Sequence, residues 1–125
     1  MNRPASVTVT HDDDLVVVSI DGEIDLANAS DLEGEILGAV PNGAAGLVLD
    51  LGRLTYLDSR GVRLLLSVAG RLGWRGQGFA LAAPTESRCR RVLAMAGVEG
   101  AFPIGSGIAA ASAQLRADLA ASAEP

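Results

Sequence analysis

Apolar and polar residues along this chain follow two patterns. Alternation and short apolar runs predict four strands, and apolar residues at every third or fourth position predict four helices. Val7 and Val9 alternate with threonines, as in a half-buried strand, and residues 15–20 form an almost continuous apolar run. The polar residues 11–14 between these runs predict a β-hairpin with a four-residue loop. Residues 46–51 and 79–83 are short apolar runs near glycines, and they predict two strands in the core.

The four predicted helices are segments in which apolar residues recur at every third or fourth position. Each begins near a residue whose side chain suits a helix N-cap: Asp25 or Asn28, then Asp58 or Ser59, then Thr85, and finally Ser106. Gly97 predicts the end of the third helix, because glycine readily adopts the left-handed conformation that follows a helix. The apolar positions are, in the first helix, Ala29, Leu32, Ile36 and Val40; in the second, Val62, Leu65, Leu66, Ala69 and Leu72; in the third, Cys89, Val92, Leu93 and Ala96; and in the fourth, Ile108, Ala111, Leu115 and Leu119.

The second helix has a polar face rich in arginine. At about 100° per residue, the apolar positions from Val62 to Leu72 share one side of this helix. We expect Leu64 to be exposed among the polar residues of the opposite side, which are Arg60, Arg63, Ser67 and Arg71. This face is either simply solvated or a docking surface, since interface cores favour arginine and apolar residues over other surface residues.

Asp58 and Ser59 lie where a core strand gives way to this second helix. A helix N-terminus carries unpaired N–H groups and a partial positive charge. These features favour a phosphate group at that position. From spacing alone, Ser59 is either an ordinary cap or a hydroxyl that receives a phosphate.

The tripeptide Asp12–Asp14 lacks the spaced ligands of a calcium loop, so a solvated turn is predicted there.

Composition limits the classes of function. The chain has 125 residues, of which 49% are hydrophobic, and this favours one folded domain spanning 1–125. Its net charge of -5 argues against nucleic acid as a partner. The chain contains neither an apolar run that could span a membrane nor the apolar segment of a signal peptide, so we expect a cytoplasmic protein.

The sequence offers no catalytic constellation, so we expect no enzymatic activity, no metal site and no cofactor. The single histidine, His11, lies in an acidic turn, and no nucleophile-elbow pattern surrounds Ser59. Cys89 falls on an apolar helix stripe, which indicates a core residue. Asp50 and Asp58 could instead form an aspartate site like that of a response regulator. This hypothesis is weakened because the chain contains no lysine.

The segment 58–61, Asp-Ser-Arg-Gly, resembles the Asp-Ser-Ser/Thr-Gly segment of bacterial anti-sigma factor antagonists, which are STAS domains. Residues 22–25, Gly-Glu-Ile-Asp, resemble a second segment of that family, and residues 92–98 with 102–104 resemble its closing helix and strand. Arg60 departs from the pattern, which usually has serine or threonine there. The resemblance covers about residues 5–120. With the closing strand at residues 102–104 that the resemblance adds, the predicted elements run in the order β-β-α-β-α-β-α-β-α. This alternation predicts an α/β fold, here the STAS fold, with a mostly parallel sheet covered by helices and an antiparallel edge from the first hairpin.

The resemblance also implies a function. Ser59 would be phosphorylated by an anti-sigma factor with serine kinase activity, and a PPM-type phosphatase would remove the phosphate. A membrane is not expected as a partner. As an alternative, STAS domains also serve as accessory subunits of transporters or lipid-trafficking ATPases, and Ser59 would then be structural. The implied partner-binding residues are Gly22, Glu23, Asp25, Asp58, Ser59, Arg60, Gly61, Arg63 and Leu64.

Overall fold

A computed structural model describes residues 5–123 of the protein. The order of its elements is β-β-α-β-α-β-α-β-α, which confirms the predicted order. The elements are β1 (Ser6–Asp12), β2 (Leu15–Ile24), α1 (Ala29–Gly38), β3 (Gly46–Leu57), α2 (Ser59–Trp74), β4 (Gly78–Ala82), α3 (Arg88–Met95), β5 (Ile104–Gly105) and α4 (Ile108–Ala123).

The strands form one five-stranded sheet in the order β1-β2-β3-β4-β5. β1 is antiparallel to β2, and the other three pairs are parallel, which confirms the mostly parallel sheet with an antiparallel edge. In parallel strands joined by helices, each following helix begins at the edge where the strands end. The N-termini of α2, α3 and α4 therefore lie toward that edge.

Helices cover both faces of the sheet. On one face α1, α2 and α3 bury an apolar core that includes Ile36, Leu65 and Leu93. On the other face α4 packs Ala111 and Leu115 in a smaller apolar cluster with sheet residues. Within the described residues, no helix is long and apolar enough to cross a membrane.

The first hairpin has a tighter turn than predicted. His11 and Asp12 belong to β1, and Asp12 pairs directly with Leu15, so that only Asp13 and Asp14 form the turn. Asp13 has a φ of 55°, a left-handed conformation that aspartate tolerates better than most residues. The expected four-residue loop was wrong because a two-residue turn in this conformation fits the twist of the strands.

β2 and β3 extend further than their apolar runs indicated. The apolar run of β2 ends at Ile20, yet the strand continues to Ile24 and pairs with the last residues of β3 up to Leu57. Gly22 has a φ of 122° within this extension, and the register shifts between Gly22 and Glu23. Glycine adopts such a conformation without a steric penalty, so the strand bends there instead of ending.

Two helix starts also differ from the prediction. α3 begins at Arg88, and the Ser87 hydroxyl accepts a hydrogen bond from Arg90 N at 3.1 Å, so Ser87 is the cap in place of Thr85. α4 begins at Ile108, two residues after Ser106. Thr85 and Ser87 both precede α3, and only the path of the backbone selects the one that caps.

Candidate functional site

The candidate site lies at the end of the two-stranded extension of β2 and β3, beside the start of α2. In this extension Glu23 pairs with Tyr56 and Ile24 pairs with Leu57. The Thr55 hydroxyl donates a hydrogen bond of 2.9 Å to the Gly22 carbonyl and so links the two strands beside the bend. The extension therefore brings together the segments 22–25 and 58–61, which are more than thirty residues apart in the sequence.

Asp58 caps α2, and Ser59 is the first residue of the helix. The Asp58 carboxylate oxygen Oδ1 accepts hydrogen bonds from Arg60 N at 2.9 Å and from Gly61 N at 3.3 Å. Ser59 is exposed, and within residues 5–123 its hydroxyl makes no hydrogen bond. Because Asp58 takes the capping role, the Ser59 hydroxyl is left accessible at the positive end of a 16-residue helix.

Gly61 is buried where α2 approaches the strand extension. A Cβ atom at this position would meet Leu57 Cδ1 and would lie 3.2 Å from Ile24 Cγ2. Glycine therefore permits the close packing of the first helical turn against the ends of β2 and β3. Of the residues predicted to bind a partner, Gly61 shapes the site from below and does not form part of its surface.

Asp25 organises the loop that leads from the end of β2 to α1. Its carboxylate oxygen Oδ1 accepts hydrogen bonds from Ala27 N at 2.9 Å and Asn28 N at 3.1 Å. The Asn28 side chain bonds backward, accepting from Asp25 N at 3.0 Å and donating to the Glu23 carbonyl at 2.8 Å. Asn28 occupies the N-cap position of α1, but its side chain makes no capping bond to that helix. Both residues therefore fix the loop, not the helix terminus.

Three carboxylates create a negative field around the Tyr56 hydroxyl. This hydroxyl donates a hydrogen bond of 3.3 Å to Asp58 Oδ2, and the side chain of Tyr56 is 43% exposed. The charge of Asp58 is the largest cause that raises the pKa of Tyr56, and Asp25 and Glu23 contribute in the same direction. The strand side of the Ser59 surface is therefore acidic.

The helix side of the same surface is basic. Arg60 and Arg63 are exposed, and both line a shallow groove of about 230 Å³ between α1 and α2. The floor and walls of the groove also include apolar atoms of Leu26 and Leu64. Ser59 thus lies between an acidic patch and an arginine pair.

The predicted exposure of Leu64 was wrong. Leu64 is only 3% exposed, whereas Leu66, which was predicted to be buried, is 41% exposed. The reason is that α2 packs against α1 as well as the sheet. Ser67 donates a hydrogen bond of 2.8 Å to Glu33 of α1, and Arg71 forms an ion pair of 3.4 Å with the same carboxylate. The buried stripe of α2 is therefore turned toward α1.

Two exposed apolar residues beside Ser59 were missed by the sequence analysis. Leu26 is 66% exposed in the loop before α1, and Tyr56 is exposed near the end of β3. Large apolar side chains in such positions are common anchors of protein interfaces. The signal that could have identified Leu26 is its position as a leucine beside the polar capping residues Asp25 and Asn28.

No metal site is found among the described residues. Among them, no group of three or more histidine, cysteine, aspartate or glutamate side chains is placed to hold a metal ion. Cys89 is buried, as predicted, and burial raises the pKa of its thiol to about 11.

Comparison with known proteins identifies relatives over most of the chain. The family model described as "Mlab, STAS domain" matches residues 7–109. The chain is 33% identical over 113 residues to BtrV of Bordetella bronchiseptica, which is named as an anti-sigma factor antagonist; the match covers 90% of this chain and 97% of BtrV. It is 39% identical over 75 residues to the anti-sigma-F factor antagonist RsfB of Mycobacterium tuberculosis, covering 58% of this chain and 62% of RsfB.

The fold also matches solved structures. A crystal structure of an anti-sigma factor antagonist from Mycobacterium paratuberculosis superposes with a TM-score of 0.76 at 28% sequence identity. The match covers 93% of this chain and 99% of that one. The elements that carry Ser59 therefore belong to an architecture that proteins of this description share.

Proposed function

The chain belongs to the STAS domain family, and from this premise we propose that it is an anti-sigma factor antagonist. In its unmodified form it binds an anti-sigma factor and so frees a sigma factor for transcription. The names of BtrV and RsfB support this proposal, since both describe antagonists of anti-sigma factors. These names describe a regulatory binding protein and no enzyme.

We further propose that phosphorylation of Ser59 switches off binding. The observation that carries this proposal is the exposed Ser59 hydroxyl at the first position of α2, next to a cap that Asp58 already fills. A kinase can reach this oxygen without disturbing the helix. The anti-sigma partner would be the serine kinase, using ATP, and a PPM-type phosphatase would restore the unmodified protein in the cytoplasm.

A phosphate at Ser59 acts on the interface and not on the fold. It adds about -1.5 to -2 charges and three acceptor oxygens. The N-terminus of α2 stabilises that charge by only about 0.3–1 kcal/mol, which is too little to rearrange a domain. In a complex, however, the phosphate is desolvated next to Asp58, and an unpaired buried ion costs several kcal/mol. Since about 1.4 kcal/mol is a tenfold change in affinity, binding is lost.

Arg60 determines how completely the phosphate acts. Its guanidinium is exposed one residue after Ser59. A charged fork of this kind either folds over the phosphate and partly neutralises it, or points outward to an acidic patch on the kinase. The first role predicts that Arg60→Gln makes the switch sharper. The second predicts that the same variant slows phosphorylation.

The decisive experiment is phosphotransfer with a cognate anti-sigma kinase and ATP. Ser59→Ala should abolish phosphate incorporation, whereas Ser30→Ala should not, because Ser30 is an exposed serine on the groove between α1 and α2. Ser59→Asp should bind the kinase at least tenfold more weakly than the unmodified protein. Equal binding of Ser59→Asp and wild type would contradict the repulsion mechanism.

The second candidate function is that of an accessory subunit of a transporter or lipid-trafficking ATPase, which membership of the STAS domain family leaves open. In that function Ser59 would only begin the helix, and the arginine side of the surface would dock on the ATPase. No phosphotransfer from any cognate kinase, together with co-purification with an ATPase, would favour this candidate.

A further inference from the structure

β1 forms an open edge of the sheet. All seven of its residues, Ser6–Asp12, pair with β2 in one continuous register without a bulge. Within residues 5–123, no strand pairs with its other side. Edge strands with unpaired backbone groups are templates for pairing with another chain.

The residues whose backbone groups face outward follow from the turn. Asp12 and Leu15 flank a two-residue turn, so they form a hydrogen-bonded pair. The direction of the backbone groups alternates along a strand. The N–H and C=O groups of Val7, Val9 and His11 therefore point away from β2.

This edge lacks the features that usually prevent pairing. Proteins protect edges with lysine, proline, bulges or inward charges. β1 contains no lysine or proline, and its one carboxylate, Asp12, lies at its end. Val9, at its centre, is 41% exposed. Before Asp12 the strand therefore contains no lysine, proline or carboxylate, and its register with β2 shows no bulge.

We infer that a second copy of this chain pairs with β1, antiparallel, about a two-fold axis at Val9. Such an axis, perpendicular to the sheet, places one residue opposite its own equivalent. With Val9 at the axis, all seven residues of each strand are used. Thr8 then lies opposite Thr10 of the partner copy, and Val7 lies opposite its His11. Threonine pairs and β-branched pairs are favourable across strands, and no like charges are opposed.

The occupant is a second copy because the strand is complementary to itself. The three outward residues of each copy supply about six backbone hydrogen bonds in this register. The contact is small, so the dimer forms only as protein concentration rises. None of the residues proposed to bind the anti-sigma partner lies in β1. This inference therefore stands or falls independently of the proposed function.

Sedimentation equilibrium over a range of concentrations tests the inference. Wild-type protein should show a monomer–dimer equilibrium. Val9→Lys should weaken the dimer at least tenfold, because it places two positive charges opposite each other. Trp74→Lys is the matched control, since Trp74 is 93% exposed on α2, away from the edge. A wild type that stays monomeric at every concentration would overturn the inference. A dimer lost in Trp74→Lys and kept in Val9→Lys would do so as well.

A cysteine pair tests the register itself and does not depend on Val9→Lys folding. In Val9→Cys the two introduced residues face each other with Cα atoms about 5.5 Å apart. This separation permits a disulfide. In Val7→Cys they are displaced along the strand by four residues, about 13 Å. Oxidation should link Val9→Cys and leave Val7→Cys monomeric, and Cys89 stays unreactive because it is buried. Equal linking of both variants would contradict the register.

Kinase assays separate this inference from the proposed function. Val9→Lys should be phosphorylated on Ser59 at the wild-type rate, because it leaves α2 and its cap unchanged. If phosphorylation fails in both proteins while the dimer forms, the proposed function is wrong and the inference stands.

Discussion

Tyr56 and Asp58 are coupled by a hydrogen bond that joins the end of β3 to the cap of α2. The tyrosine hydroxyl donates to Asp58 Oδ2 at 3.3 Å, while Oδ1 of the same carboxylate accepts from the first turn of the helix. Both oxygens of the cap are thus in use. The carboxylate is held in place, and the adjacent Ser59 hydroxyl is left without an intramolecular acceptor among the described residues.

This coupling predicts that Tyr56 loses its proton at a higher pH than an ordinary tyrosine. Tyr56 is the only tyrosine, so the absorbance of tyrosinate reports on it alone. Its pKa should lie above the usual value of about 10, because nearby carboxylates disfavour the phenolate. Because the raised pKa belongs to the folded state, its contribution to stability is complete below pH 10 and is lost as pH rises through the folded pKa. Asp58→Asn should lower the pKa of Tyr56, and an unchanged titration would show that Asp58 is not the cause.

The cap itself should contribute measurably to stability. Asp58→Ala removes the acceptor for Arg60 N and Gly61 N, so we expect a loss of about 0.5–2 kcal/mol in the free energy of unfolding. Asp58→Asn retains a capping oxygen and should lose much less. Urea denaturation measures both values. Equal losses would mean that the negative charge, and not the capping geometry, stabilises α2.

Gly61 should tolerate no side chain. Gly61→Ala places a methyl group against Leu57 and Ile24, and overpacking of this kind costs about 1–3 kcal/mol. Gly70→Ala is the matched control on the same helix, since a Cβ there meets nothing within 4 Å. That variant should gain about 0.5–1 kcal/mol from helix propensity. If Gly61→Ala were as stable as Gly70→Ala, the close approach of α2 to the strand extension would be wrong.

Leu64 and Leu66 should respond oppositely to truncation. Leu64→Ala creates a cavity between α1 and α2 and should lower the free energy of unfolding by about 2–5 kcal/mol. Leu66→Ala removes a half-exposed side chain and should stay within about 1 kcal/mol of wild type. Thermal unfolding followed by circular dichroism compares the two. If Leu66→Ala lost more unfolding free energy than Leu64→Ala, the orientation of α2 predicted from periodicity alone would be correct, and the buried position of Leu64 would be wrong.

Arg116 of α4 should set the acid titration of the first turn. It forms a hydrogen bond of 2.9 Å with Asp14, and this bond is the largest cause that lowers the pKa of Asp14. Because the folded pKa is lowered, the resulting stability is present above the unfolded pKa of about 4 and is lost as pH falls through the folded value. Arg116→Gln should return the pKa of Asp14 to its ordinary range. NMR titration of the Asp14 carboxyl carbon in the wild type and in Arg116→Gln measures this change.

The sequence by itself determined the order of the elements, since hydrophobic periodicity reflects which residues are removed from water. The runs at residues 46–51 and 79–83 predicted core strands, and Ser59 was predicted at the start of α2 from capping chemistry and spacing alone. Both signals are local in the chain, so they could be read without coordinates.

Only the tertiary structure decided which side of α2 is buried and how the site is assembled. Leu64 is buried because α1 packs beside α2, which the period of α2 alone does not indicate. The residues from Asp21 to Ile24 became a strand because β3 supplied partners for their backbone groups. Tyr56 and Leu26 lie at the Ser59 surface because Tyr56 bonds to Asp58 and Leu26 lines a groove together with Arg60. Such contacts depend on elements distant in sequence, and local propensity does not encode them.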